Sequence, residues 1–214
     1  MVKAIQALAP VPDISQKRIK KIPDYLVYEV MDGKPYYRKG YKSVLRKLKS
    51  PEEIMGVSKL QASIISHIVR IIFRFLSEDD YYVHFNESGL HLDKNDNMAG
   101  DIHIFDKTVL TPDQIDEHYA DVPPLVNIEV DIKVDLAQES DFDYIHKKTQ
   151  KLHAFGTEKV IWILKPSQTV IVAERNKNWE IISWDNDIEI MQGITFNLTA
   201  YLKKEGISLD KHNP

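Results

Sequence analysis

Residues 125–133 read Leu-Val-Asn-Ile-Glu-Val-Asp-Ile-Lys. Val126, Ile128, Val130 and Ile132 alternate with Asn127, Glu129, Asp131 and Lys133, the period of a strand whose successive side chains point to opposite faces. Strongly apolar neighbours mark it as a central strand. Side chains two apart on one face lie roughly 7 Å from each other, so two carboxylates and an ammonium are expected side by side. Like charges this close repel and raise at least one pKa unless a cation lies between them. Lys133 relieves part of that repulsion, and a divalent metal would relieve more. Asp101 opens an earlier strand, Asp101-Ile102-His103-Ile104-Phe105, and meets the same site if the two strands are neighbours. The plainer alternative is a solvent-facing strand edge carrying an Asp–Lys pair.

Working outward, the surrounding elements follow the same two periodicities. Tyr25–Val30 alternates as a strand, and Asp32-Gly33 supplies a hairpin turn into Pro35-Tyr36-Tyr37. A short basic helix is expected over 43–50, ended by Pro51. Ser58 is a suitable N-cap for a long helix to about Ser77, with Leu60, Ile64, Ile65, Ile68, Ile71, Ile72 and Phe75 on one face. Tyr82–Phe85 and Gly89–Leu92 read as two strands, with a turn at Lys94–Asn97. A second helix fits Asp141–Phe155, burying Tyr144, Ile145, Leu152 and Phe155, with Gly156 beyond its end. Strands follow at Val160–Leu164, Thr169–Ala173 and Trp179–Trp184, then a short helix at Leu198–Lys203. The pattern is one α/β domain over 24–205, a mixed central sheet flanked by helices, with a leader (1–23) and a tail (206–214).

Composition narrows the function classes. The 214 residues are 43% apolar and 28% charged and include no cysteine, which excludes a disulfide scaffold, a thiolate metal site and a cysteine nucleophile. No stretch approaches the roughly 20 apolar residues of a membrane helix, and the short apolar run near Met1 lacks a cleavage site, so a cytoplasmic protein is expected. Charge is uneven: residues 34–74 hold ten basic side chains against Glu52 and Glu53, whereas 75–145 hold eighteen acids against Lys94, Lys107 and Lys133. A basic section attracts phosphate backbones by counterion release; an acidic one suits a hard divalent cation. Either is also compatible with an ordinary solvated surface. Glycine-rich phosphate loops and a G-x-S-x-G elbow are absent, which argues against a nucleotide-driven enzyme and an α/β-hydrolase.

An acid, a connection, and then an acid-x-lysine on a buried strand is what metal-dependent phosphodiester cleavage needs. The acids hold Mg²⁺, the metal lowers the pKa of a bound water, and the lysine stabilises charge at phosphorus. Further pieces recur in a set order: Tyr28-Glu29-Val30-Met31-Asp32-Gly33, the long amphipathic helix, Gly100-Asp101-Ile102-His103-Ile104, Ile128-Glu129-Val130, Lys147-Lys148, Gly156, and Trp162-Ile163-Leu164-Lys165-Pro166. Over roughly 24–185 this order resembles the PD-(D/E)XK nuclease superfamily and, within it, the bacterial putative restriction endonuclease family. The resemblance implies a restriction-endonuclease-like fold, a Mg²⁺- or Mn²⁺-dependent DNA endonuclease, Asp101 and Glu129 as metal ligands and a lysine beside them.

Two departures leave alternatives open. Gly100 stands where the family has proline. The family's Glu-Val-Leu-Ser-Pro is here Glu-Val-Asp-Ile-Lys, so either Glu129 is the motif acid with Lys148 supplying charge from the helix, or Asp131-Ile132-Lys133 is a literal D-x-K. Asp131 is then a third ligand, Lys133 the preferred lysine and Lys148 its substitute. Glu29 is a more distant candidate acid for the site, its plainer reading a solvated hairpin residue; Gln61 is read as a surface amide and His67 as a half-buried core histidine. A zinc site at His84, His91 and His103 matches no familiar ligand spacing. A homodimer, which lets one nuclease cut two strands, is expected. The alternative is a catalytically silent DNA-binding or interaction module on the same fold.

Overall fold

The computed structural model describes residues 21–136 and 139–209, so most of the expected leader and the end of the tail lie outside it. Strand β1 (Val27–Met31) turns through Asp32 and Gly33, both at positive φ (53° and 70°), into β2 (Lys34–Tyr37). Glycine at the second corner makes this turn inexpensive. Two short helices follow, α1 (Tyr41–Leu45) and α2 (Glu52–Met55), where one helix over 43–50 is expected from sequence. Helix α3 (Lys59–Phe75) starts at Ser58, whose hydroxyl accepts the Gln61 amide at 3.2 Å.

Strands β3 (Tyr81–Asp93) and β4 (Asp96–Asp106) form a long hairpin, paired from Tyr81–Asp106 to Asp93–Asp96. The two strands expected at 82–85 and 89–92 are one. Asn86 and Glu87, both at positive φ (74° and 56°), form an irregularity that shifts the register without ending the ladder. Strand β5 (Val126–Val130), helix α4 (Asp141–Phe155) and strand β6 (Lys159–Leu164) form a βαβ unit with β5 and β6 parallel. Strands β7 (Thr169–Glu174) and β8 (Glu180–Ser183) extend the sheet antiparallel. The hairpin β9 (Ile188–Met191) and β10 (Ile194–Phe196), not foreseen from sequence, leads to α5 (Leu198–Lys204).

The sheet runs β2-β1-β4-β5-β6-β7-β8, with β3 on the other edge of β4. One edge of β4 therefore serves two strands end to end. β1 meets it at Asn97, through Val30, and β5 meets it at Ile102–Ile104. Between these contacts the two strands part company, and the site described below lies there.

Two apolar layers sandwich the sheet. On one face Ile64, Ile68 and Ile72 of α3 pack on Ile102, Ile104, Val126, Ile128, Val130, Ile161 and Ile163, joined by Trp184, Phe196 and Tyr201. On the other, Tyr144, Ile145 and Leu152 of α4 pack on Phe105, Val160, Trp162 and Ile171. Phe75, expected on the buried face of α3, is exposed where that helix ends, and Phe155 is only half-buried.

The α4 side also carries a buried polar seam. His103 and Asn127 sit opposite each other on β4 and β5. A Cβ added at Gly100 would come within 2.2 Å of His103 Nε2 and 2.4 Å of Asn127 Oδ1. That contact accounts for the glycine preceding Asp101: no larger residue fits beside this pair. Gly100→Ala is expected to lower stability by roughly 1–3 kcal/mol in urea unfolding. Unchanged stability would show that the seam yields freely.

Candidate active site

The alternation that begins at Val126 runs as expected only to Val130. Val126, Ile128 and Val130 face the α3 layer, Asn127 and Glu129 face α4, and all five are buried. The strand then stops, because Asp131 adopts a positive φ of 68°. The backbone N–H of Asp131 still donates to Ile163 O at 2.8 Å, but its carboxylate turns to Lys165 at 2.9 Å. Ile132 consequently joins the α4-side core instead of continuing the row of Val130. The expected side-by-side row of Glu129, Asp131 and Lys133 is thus broken by a single left-handed residue.

Past this turn, Lys133 reaches back to Asp101, with which it forms an ion pair and hydrogen bond. Asp101 also accepts a hydrogen bond from the Val130 N–H at 2.8 Å. Its carboxylate therefore takes a ladder position at the end of β5. Because Ile102 pairs with Ile128, the residues on either side, Asp101 and Glu129, sit next to each other across the strands. Asp101 is 1% exposed and Glu129 2%.

Glu129 is held from the helix. Lys148 Nζ lies 3.0 Å from Glu129 Oε1 and 2.8 Å from Glu29 Oε2, and donates to Ala99 O at 2.8 Å. Ala99 belongs to the stretch of β4 between its contacts with β1 and β5, so the ammonium occupies the gap where the two strands separate. Lys148 is 1% exposed. Glu29 is buried, not the surface residue expected from sequence, and Tyr144 Oη donates to its Oε1 at 2.5 Å. Its Oε2 pairs with Lys148 without hydrogen-bond alignment, and Glu129 Oε2 accepts no hydrogen bond from a described residue.

Electrostatics reflect the crowding. Among the described residues, Glu29, Glu87, Asp101 and Glu129 pair only with Arg38, Lys133 and Lys148, so negative charge is in excess. Burial pushes the Glu129 carboxyl up to about 7; Lys148 opposes the shift, while Asp101 and Glu29 add to it. Burial alone would lower the Lys148 pKa, but Glu129 and Glu29 outweigh it and hold the ammonium charged. Tyr28 lies among the cations, its ring 5.0 Å from the Arg38 guanidinium and 5.8 Å from both Lys133 and Lys148. Burial, followed by Glu129 and Asp101, raises its phenol.

The cluster fits a hard divalent cation in one respect. Magnesium takes one or two protein carboxylates and fills its shell with water and substrate phosphate. Asp101 and Glu129 supply two, with surplus charge and a Glu129 Oε2 that no described residue engages. Among the described residues no group of three His, Asp or Glu side chains is arranged to hold a metal by itself. His84, His91 and His103 form no such group either. His103 is buried between β3 and β5. Its Nδ1 shares a hydrogen bond with Ser88 Oγ at 2.6 Å, and His91 contacts Asn97. His67 stacks on Tyr201 with 3.8 Å between ring centres, and Gln61, expected at the surface, is buried and donates to Val130 O at 2.8 Å.

Beside the cluster lies a cleft of about 310 Å³ whose walls include Arg38, Lys39, Lys49, Glu53, Gln61, Glu87, Asp131 and Lys133; Asp101 and Glu129 lie behind it. Lys133 stands between the cleft and Asp101. Sequence reasoning missed Glu87 and Tyr28. The one local signal for Glu87 is Asn86 before it, a residue that tolerates left-handed backbone.

Two buried groups titrate in opposite senses. Burial, then Lys148, lowers His103 to about 3, so the unfolded chain binds the extra proton and stability rises with pH between about 3 and 6.5. Glu129, raised to about 7, binds a proton that the unfolded chain releases near 4.5, so its contribution falls as pH rises through that window. Between pH 4.5 and 6.5 the two oppose each other. Unfolding at a series of pH values should show Glu129→Gln steepening the rise of stability with pH, and His103→Gln turning it toward a decline, each by up to about 1.4 kcal/mol per pH unit. Both variants keeping the wild-type slope would contradict this.

Among solved structures, the fold is similar to a protein of Anabaena variabilis described as a putative nuclease belonging to DUF820. The likeness has a TM-score of 0.58 at 14% identity and covers 82% of this chain and 89% of that one. No family model and no curated protein matches the sequence. Among the described residues no helix is long and apolar enough to cross a membrane.

Proposed function

We propose that the chain is a divalent-metal-dependent DNA endonuclease of the PD-(D/E)XK type, with Asp101 and Glu129 as the metal ligands. The observation that carries this is the meeting, at the parting of β1 and β5, of Asp101, Glu129, Lys133 and Lys148 beside a cleft whose walls carry Arg38, Lys39 and Lys49. The fold shared with a protein described as a nuclease supports it.

A bound Mg²⁺ or Mn²⁺ lowers the pKa of a coordinated water and neutralises charge on the phosphate. The chain's own residues do the rest. Lys133, at the floor of the cleft, offers its ammonium to a phosphate oxygen as negative charge builds there. Lys148 is held by Glu129, Glu29 and Ala99 O, and so positions the two carboxylates. Tyr144 fixes Glu29, and Gln61 fixes the end of β5 through Val130 O. Asp131, on the cleft wall and ion-paired with Lys165, is the third candidate ligand.

A second reading has one observation in its favour. The carboxylates are buried and already paired with lysines, as suits a nuclease fold that binds DNA without cutting it. A second copy of the chain, which would place two sites on two strands, belongs to the first reading.

Incubation of the full chain with supercoiled, linear and single-stranded DNA, with Mg²⁺ or Mn²⁺, separates the two. Cleavage is expected, falling about 100-fold or more in Asp101→Asn and Glu129→Gln. Asp131→Asn in the same assay decides its place among the ligands. DNA left intact in every form, with salt-dependent and metal-indifferent binding, would establish the silent module.

A further inference from the structure

Glu87 is an acid in a place that attracts acids. Its carboxylate bridges two cations: Oε2 accepts from Arg38 at 3.2 and 3.3 Å, and Oε1 accepts from Lys133 Nζ at 3.1 Å. Arg38 is held in position by the Tyr28 ring beneath its guanidinium, and its buried Nε has no hydrogen-bond partner. Both cations line the 310 Å³ cleft together with Lys39 and Lys49, and Lys133 connects this bridge to Asp101.

The backbone that delivers Glu87 is out of the ordinary. Asn86 and Glu87 are consecutive left-handed residues within the β3–β4 ladder, at φ 74° and 56°. Glutamate gains nothing intrinsic from that conformation, which residues other than glycine rarely adopt. The irregularity lifts one carboxylate out of the strand and sets it between a guanidinium fork and an ammonium. Two oxygens held in this way reproduce what a phosphodiester presents through its two non-bridging oxygens.

The geometry points to Arg38 and Lys133 as a phosphodiester-binding site that Glu87 fills with its own carboxylate until DNA displaces it. The contact is thus an internal competitor: substrate must exchange for Glu87, and the exchange frees Lys133 from one of its two acids. Identifying the anion as a DNA phosphate rests on the nuclease reading; the competition itself does not.

The test measures binding of a fluorescein-labelled duplex DNA and of inorganic phosphate in EDTA, for wild type, Glu87→Gln, and Glu87→Gln with Arg38→Gln. Glu87→Gln should bind DNA about threefold or more tightly, with the slope of log affinity against log salt steeper by about one. The added Arg38→Gln change should remove the gain. Inorganic phosphate should raise the melting temperature of Glu87→Gln more than that of wild type. Glu87→Asn, whose side chain tolerates left-handed backbone, serves as a second uncharged variant should the first fail to fold. Affinity unchanged or reduced in the folded uncharged variants would overturn the proposal, as would a gain that survives loss of Arg38. Cleavage by wild type with no affinity gain sinks this inference and spares the nuclease reading; an affinity gain with no cleavage of any DNA does the reverse.

Discussion

Lys148 cannot be buried without its partners. An ammonium that is 1% exposed carries a desolvation cost of several kcal/mol, which only close opposite charge and hydrogen bonding offset. Here the compensation comes from three separate parts of the chain: Glu29 of β1, Ala99 O of β4 and Glu129 of β5. The helix that carries Lys148 lies over the sheet on packing by Tyr144, Ile145 and Leu152, and through the hydrogen bond from Trp162 Nε1 to Thr149 at 2.9 Å. Removing the ammonium would leave two carboxylates buried with too little positive charge, so the interaction fixes sheet, helix and site at once.

That arrangement depends on a feature of the sheet. A strand has two edges, and β4 gives one wholly to β3 and divides the other between β1 and β5. Where those two separate, backbone groups lose their usual ladder partners and side chains replace them: Asp101 accepts the Val130 N–H, Gln61 donates to Val130 O and Lys148 donates to Ala99 O. Carboxylates and a lysine thus gather there because the backbone itself needs polar partners. Such a gap sets fixed polar groups next to a cleft that Gln61 and Lys133 line, which suits a site for a charged substrate.

The sequence made the periodic parts legible and hid the aperiodic ones. Helices α3 and α4 were readable from their apolar spacing and from Ser58 and Gly156, and the central position of β5 from its apolar neighbours. The pairing of β4 with β5 made Asp101 and Glu129 neighbours, as the order of motifs implied. What failed rested on the assumption that alternation continues. One left-handed residue, Asp131, ended the row, sent its own carboxylate to Lys165 and let Lys133 fold back on Asp101. Glu29 and Gln61 look like surface residues locally, because their burial depends on α4 and on the end of β5, far away in the chain. Glu87 and Tyr28 gain their roles only through contacts with Arg38 and Lys133, which no local pattern announces.

Asp101 and Glu129 are proposed to hold a divalent cation together. Isothermal titration of Mg²⁺ and of Mn²⁺ into the wild type and into the double variant Asp101→Asn, Glu129→Gln tests it most directly, first alone and then with a short DNA duplex whose own heat is subtracted. A binding heat is expected in the wild type, stronger with DNA because substrate oxygens complete the metal's shell, and lost in the double variant. Equal heats in the two proteins, or none in the wild type even with DNA present, would contradict it.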